Sequence, residues 1–203
     1  MPWREGLSSD QIDAAQHIGG HARLLAGPGT GKTRTLTRRV LALVLQHSID
    51  PDEIIALTFT RVAAFQLRQE IEEVLKPRGI EMPRVSTLHS FALRQLLRNE
   101  ERIETLPQPL RIADDWEERH IIQEDLKERL QKERIREIQD LFDQLSADWE
   151  TLERDNPQWE DLFPDPAFIG AWQEHRGMFG YTLRSELIYQ LKRALNHYPD
   201  FDL

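Results

Sequence analysis

The sequence predicts an α/β protein, a parallel sheet flanked by helices, carrying in addition an all-α module. Three observations point there. Short apolar runs alternate with helix-like stretches over the first hundred residues, the pattern of βαβ units. A glycine-rich turn separates the first apolar run from the helix after it. From Asp114 onward apolar residues recur at helical spacing without a strand-like run between them.

In chain order, "HARLLAG" (21–27) reads as a buried strand and "KTRTLTRRVLALVLQHS" (32–48) as the helix that follows. "EIIALTFT" (53–60) is a second strand. "RVAAFQLRQEIEEVL" (61–75) is a second amphipathic helix, with Val62, Phe65, Leu67, Ile71, Val74 and Leu75 on its apolar side. Pro77 and Gly79 in "KPRG" break it. "RVSTL" (84–88) is a third strand and "SFALRQLLRN" (90–99) a third helix. Residues 114–151 are nearly uninterrupted helix formers, and Asp114 and Asp115 in "RIADDW" read as a helix cap. "DNPQWEDLFPDP" (155–166) is a connection, and "TLRSELIYQLKRALNHY" (182–198) a closing helix.

Composition narrows the class. With 39% hydrophobic and 30% charged residues among 203, the chain suits a soluble globular protein of one large domain or a domain with an insertion. The longest apolar run, Val40 to Leu45, is too short for a bilayer, and "MPWREGLSSD" lacks the apolar core of a secretory signal, so a cytoplasmic location without a membrane partner is expected. The absence of cysteine excludes disulfides, thiol catalysis and cysteine-based zinc sites. The net charge of -9 is unevenly placed. Residues 1–100 hold 13 Lys+Arg against 11 Asp+Glu, and residues 101–203 hold 13 against 24. The first half could therefore hold a polyanion while the second faces solvent, and the net charge of the whole chain says little about either.

Ala26-Gly27-Pro28-Gly29-Thr30-Gly31-Lys32-Thr33 is a phosphate-binding loop with Ala at the first glycine of the strict pattern. Its glycines let successive N–H groups and the start of the next helix converge on one anion. Lys32 is the residue to reach the β- and γ-phosphates, and the Thr33 hydroxyl the one to meet Mg²⁺. Gln11 carries a side-chain amide that can donate and accept at once, as reading an adenine edge requires, although taken alone it reads as a surface helix residue. Phe59, Thr60 and Arg61 follow the second strand, and Thr87 and His89 the third, at the sheet edge where α/β proteins bind ligands. A ring beside hydroxyls and a guanidinium suits a stacked base next to a phosphate, or equally a core Phe with a solvated Arg. His89 reads alone as a structural residue.

These four stretches, in this order and spacing, resemble the start of superfamily 1 DNA helicases of the UvrD/Rep/PcrA type. The resemblance is close over residues 7 to about 98 and looser over the acidic helical region. It implies a RecA-like P-loop NTPase subdomain over 1–105, an acidic helical insertion over 106–180, and a helix over 181–203 returning toward the first subdomain. It further implies an ATP- and Mg²⁺-dependent motor on single-stranded and duplex-junction DNA, with DNA repair as its setting. Gln11 would read adenine, Arg34 would lie against the base or sugar, and residues 26–33 would cradle the triphosphate, with Lys32 the catalytic lysine. Phe59, Thr60, Arg61, Thr87 and His89 would line the DNA track. Thr30 stands where the family has Ser, "TRVAA" where it has "TNKAA", and Leu88 where it has Phe. The family's "DExQD" box lies beyond a segment like 182–198, and the sequence stops at "DFDL". The expectation is a chain that binds nucleotide without hydrolysing it. A P-loop small-molecule kinase and a non-enzymatic ATP-binding module are the alternatives.

Overall fold

The computed structural model describes residues 2–198 and residue 201. The chain divides into two compact units, Met1–Leu88 and His89–Leu203, each with its own core.

In the first unit, Ser8 caps α1 (Ser9–Gln16) through a reciprocal box. Gln11 N–H donates to Ser8 Oγ at 3.4 Å, and Ser8 N–H donates to Gln11 Oε1 at 3.0 Å. Helix α2 (Lys32–Leu45) buries Val40, Leu41 and Val44, and its Thr37 hydroxyl donates to Glu70 Oε2 of the next helix at 2.8 Å. Strands β1 (Ile55–Thr58) and β2 (Arg84–Thr87) pair in parallel, Ile55 opposite Arg84 and Thr58 opposite Thr87. A parallel pair needs a crossover, and α3 (Arg61–Leu75) supplies it. Leu67, Ile71 and Leu75 of α3 pack with Trp3, Leu41, Ala56 and Val85 into the first core.

Two sequence expectations fail in this unit. Residues 21–27 form no strand, and Leu24 and Leu25 are 51% and 78% exposed. A strand exists only beside a neighbour that takes up its N–H and C=O groups. Among the described residues β1 and β2 pair only with each other. Val62 and Phe65 are also outside, at 66% and 60% exposure. At about 100° per residue they lie roughly opposite the Leu67–Ile71–Leu75 stripe, so the six-residue apolar side expected from the sequence is two faces, of which one is buried.

The second unit is helical. α4 (Leu88–Arg98) follows β2 directly. α5 (Asp115–Glu117) runs through one π turn, Glu118–Ile122, into α6 (Gln123–Arg129). Asp114 caps α5 by accepting from the Trp116 and Glu117 N–H groups at 2.9 and 2.8 Å, as its sequence position indicates. α7 (Ile135–Thr151) is followed by the short α8 (Trp159–Leu162), which breaks up the expected connection over 155–166. α9 (Pro166–Phe179) was not expected as a helix, and α10 (Leu187–His197) is shorter than the expected 182–198 because Thr182 instead bridges Ile112 in parallel.

Phe142, Leu145, Trp149, Trp159, Phe168, Trp172 and Tyr181 form the second core. Two polar ties cross it. Asp148, 6% exposed, accepts from the Trp159 indole N–H at 2.6 Å. Glu186, fully buried, accepts from Leu183 N–H at 2.8 Å, from Gln190 Nε2 at 3.0 Å and from Arg176 Nη1 at 3.1 Å. Burial pushes the Glu186 carboxyl up, against the pull of the Arg176 charge. No described helix is long and apolar enough to cross a membrane.

Asp165 starts α9. Its Oδ1 accepts from the Ala167 and Phe168 N–H groups at 3.1 and 3.3 Å, and its Oδ2 pairs with Lys132 at 2.8 Å. The Lys132 hydrogen bond, more than the two backbone bonds, holds the carboxyl below its usual 3.8. Asp165→Ala is expected to cost about 0.5–2 kcal/mol, the worth of an N-cap. Because the folded-state value is depressed, this contribution is present above pH 3.8 and lost as pH falls through the folded value. Urea unfolding followed by tryptophan fluorescence at pH 7 and pH 3 tests both points. Equal loss at the two pH values would rule out the ionised cap.

Candidate nucleotide-binding site

The glycine loop is built by backbone requirements. Gly29 and Gly31 have φ of 72° and 81°, in the left-handed region that disfavours a side chain. Gly31 is the N-cap of α2, so the helix begins at Lys32 and the loop ends where the helix dipole is positive. A Cβ on Gly31 would stand 3.1 Å from Gln11 Nε2, a second reason for glycine there. Thr30 Oγ1 donates to Gly27 O at 2.8 Å, which closes the turn. Lys32 Nζ donates to Ala26 O at 3.0 Å and to Gly27 O at 2.7 Å, so its ammonium sits over the loop. Pro28 lies between these contacts.

Gln11 is joined to the loop. Its Nε2 donates to Thr30 O at 2.9 Å while its Oε1 accepts from Ser8 N–H at 3.0 Å. The start of α1 thus holds the loop by one side chain. Arg34, in the first turn of α2, lays its guanidinium against Gly6, where a Cβ would come within 2.1 Å of Nη2. Between α1 and α2, beside the loop, lies a cavity of about 440 Å³ lined by Asp13, His17, Arg23, Leu24, Lys32 and Arg39 among others. Arg39 donates to Ala14 O at 3.2 Å and His17 O at 2.7 Å, satisfying the last carbonyls of α1. Sequence reasoning missed Arg39; its signal was a cation four residues after Thr35 on the face of α2 turned toward α1.

Thr33 is exposed and its hydroxyl makes no hydrogen bond among the described residues. Among those residues no three His, Asp or Glu converge on a metal-sized site.

The C-terminal ends of β1 and β2 lie side by side. Phe59 follows β1 and is 83% exposed. Thr60 caps α3, its Oγ1 accepting from Ala63 N–H at 3.1 Å, and Arg61 opens that helix, exposed. Thr87, the last residue of β2, is buried at 8% exposure, so its hydroxyl lies within the fold rather than on an open face. His89 is in the first turn of α4, half-buried. Phe59, Thr60 and Arg61 thus share one sheet edge with the backbone of Thr87.

A parallel strand pair, a left-handed glycine loop and a helix that opens on the loop's lysine are consistent with a P-loop NTPase-type fold, although residues 21–27 do not form the strand that ordinarily leads into such a loop. The chain belongs to the UvrD/REP helicase N-terminal domain family, which it matches over residues 7–195. It is 36% identical over 124 residues, 61% of this chain, to the ATP-dependent DNA helicase PcrA of Bacillus subtilis, covering 16% of that protein. It is 37% identical over 110 residues, 53% of this chain, to the ATP-dependent DNA helicase SRS2 of Saccharomyces cerevisiae, covering 9% of it. A PcrA of Leuconostoc citreum is 39% identical over 98 residues, 48% of this chain and 13% of that helicase. The chain therefore spans between about a tenth and a sixth of the length of the relatives it matches.

Proposed function

We propose that this chain is the nucleotide-holding N-terminal part of an ATP-dependent DNA helicase, with ATP·Mg²⁺ on the 26–33 loop and single-stranded DNA along the ends of β1 and β2. The observation that carries the reading is Lys32: first residue of α2, its ammonium held over a loop whose glycines have the left-handed backbone a phosphate cradle needs. On binding, Lys32 exchanges the carbonyls of Ala26 and Gly27 for phosphate oxygens, and the N–H groups at the α2 start face the same anion. The Thr33 hydroxyl would help hold Mg²⁺, which when bound would offset the negative charge of the phosphates. Gln11 reads adenine by exchanging its bonds to Ser8 and Thr30, which couples the base to the shape of the loop. Arg34 lies alongside, and the cavity between α1 and α2 is of a size for base and sugar. We read residues 106–180 as a helical insertion in this part of the helicase.

The exposed ring of Phe59 supports the DNA assignment, since a lone aromatic 83% exposed beside Arg61 gains by stacking on a base. Phe59→Ala is expected to weaken binding of a labelled oligothymidylate by about 1–3 kcal/mol, the worth of one stacked base. Fluorescence anisotropy at fixed salt is the measurement, and an unchanged affinity would remove Phe59 from the track.

A further inference from the structure

Within the acidic half of the chain, three arginines line one cavity. A cavity of about 460 Å³ in the helical unit is lined by Arg154, Arg176 and Arg193, with Glu104 the single acidic lining residue. Its size is within the range of small-molecule sites, roughly 300–1,000 Å³. Three arginines around one hollow are unexpected where acidic residues outnumber basic ones 24 to 13.

The three are held differently. Arg154 pairs with Glu160 at 2.9 Å and lies 4.1 Å from the Trp159 ring centre. Arg176, 9% exposed, gives Nη1 to Glu186 and lies 5.3 Å from the Trp172 ring centre, while its Nη2 has no acceptor among the described residues. Arg193 makes no hydrogen bond or ion pair to the described residues. Two further buried polar atoms on lining residues are also without partners: Trp172 Nε1, a donor, and Gln190 Oε1, an acceptor. These three atoms have no surface of their own on the hollow, so what their residues offer a ligand is the remainder of each side chain.

Three lining residues are aromatic, each presenting only an edge to the hollow: Trp149 and Trp172, which pack at 5.8 Å with a 58° tilt, and Tyr189. Gly177 opens the α9 side: a Cβ there would meet nothing within 4 Å, so packing does not demand the glycine, although it costs helix stability of about 1 kcal/mol relative to alanine.

We infer that this cavity is a second ligand site, distinct from the glycine loop, for a small planar aromatic anion: a flat ring against the indoles, its carboxylate or phosphate against Arg176 and Arg193. The inference is independent of the helicase reading, since it uses no residue of the first unit.

Titration of the ¹⁵N-labelled chain with adenosine monophosphate and, separately, with 1-naphthoate tests it, read at the indole N–H signal of Trp172, identified by its loss in Trp172→Phe. A shift of that signal is expected with at least one probe: with the nucleotide alone for a phosphate-bearing ligand, with naphthoate alone for a carboxylate, with both for the shared chemistry. Arg193→Ala is expected to weaken binding about tenfold, and Gly177→Leu, which fills the hollow without touching the core, to abolish it. Lys32→Ala should leave it unchanged. No shift with either probe at millimolar concentration overturns the inference. So does a shift that survives Gly177→Leu, or one that Lys32→Ala removes, which would place the ligand on the loop.

Discussion

Replacing Lys32 by alanine is expected to lower ATP affinity by about 1.5–3 kcal/mol, the worth of hydrogen bonds to a charged group, or roughly ten- to a hundredfold in Kd. Nothing else in the described loop can substitute. The nearest cation on α2, Arg34, has its guanidinium against Gly6, and the backbone N–H groups at the start of α2 are donors without full charge. The fold should not suffer, because Lys32 contacts only the carbonyls of Ala26 and Gly27 at the surface. Equilibrium binding of a fluorescent ATP analogue, with thermal unfolding as the control for folding, is the measurement. Wild-type affinity in a folded Lys32→Ala chain would detach the loop from the nucleotide.

The largest stability effect is expected at Glu186→Ala, about 3–5 kcal/mol at pH 7. This is the usual result of removing one partner of a buried ion pair and stranding the other. Glu186 has no exposed surface and gathers three donors, from Leu183, Gln190 and Arg176. Its loss leaves the Arg176 charge enclosed and the start of α10 unanchored. The paired substitution Arg176→Met with Glu186→Leu removes both charges and is expected to cost far less, since apolar replacement of a whole buried pair is often neutral. Urea unfolding of the single and double variants, read by the tryptophans of the second core, decides the point. A double variant as unstable as Glu186→Ala would show that the hydrogen bonds, and not the stranded charge, carry the effect.

How far the sequence led depends on where the determinants are local. The loop and the start of α2 were legible because glycine spacing and a following lysine fix that backbone within eight residues. The Asp114 cap was legible for the same reason, one side chain bonding the next turn. The strand over 21–27 was not, because a strand's existence depends on a partner distant in sequence, and periodicity carries no information about that. The face of α3 was misjudged by counting apolar residues without their angles: Val62 and Phe65 point away from Leu67 and Ile71. α9 was missed although its boundary signals were present, Asp165 capping, Pro166 at the first position and Gly180 closing it with φ of 62°. The first two of those signals fall inside the proline-rich stretch 155–166, where the same Asp and Pro also mark a connection, so the start of the helix is hidden among turn residues. Among candidate site residues, Gln11 was visible by type, but its bond to Thr30 crosses 19 positions and could be seen only in three dimensions.

The separateness of the two cores has a consequence for synthesis. Every residue of the first core, from Trp3 to Val85, has been translated before residue 89, whereas the second draws on residues from Ala113 to Tyr189. Domains tend to fold as units and N-terminal first as the chain emerges at about 5–20 residues per second. The glycine loop's scaffold can therefore condense while the helical unit is still being made, seconds before the buried Arg176 meets its counter-charge at Glu186. Arg176 and Glu186 are only ten positions apart, so the two charges emerge almost together, and their burial as a pair is a late step that follows completion of the first core's sequence.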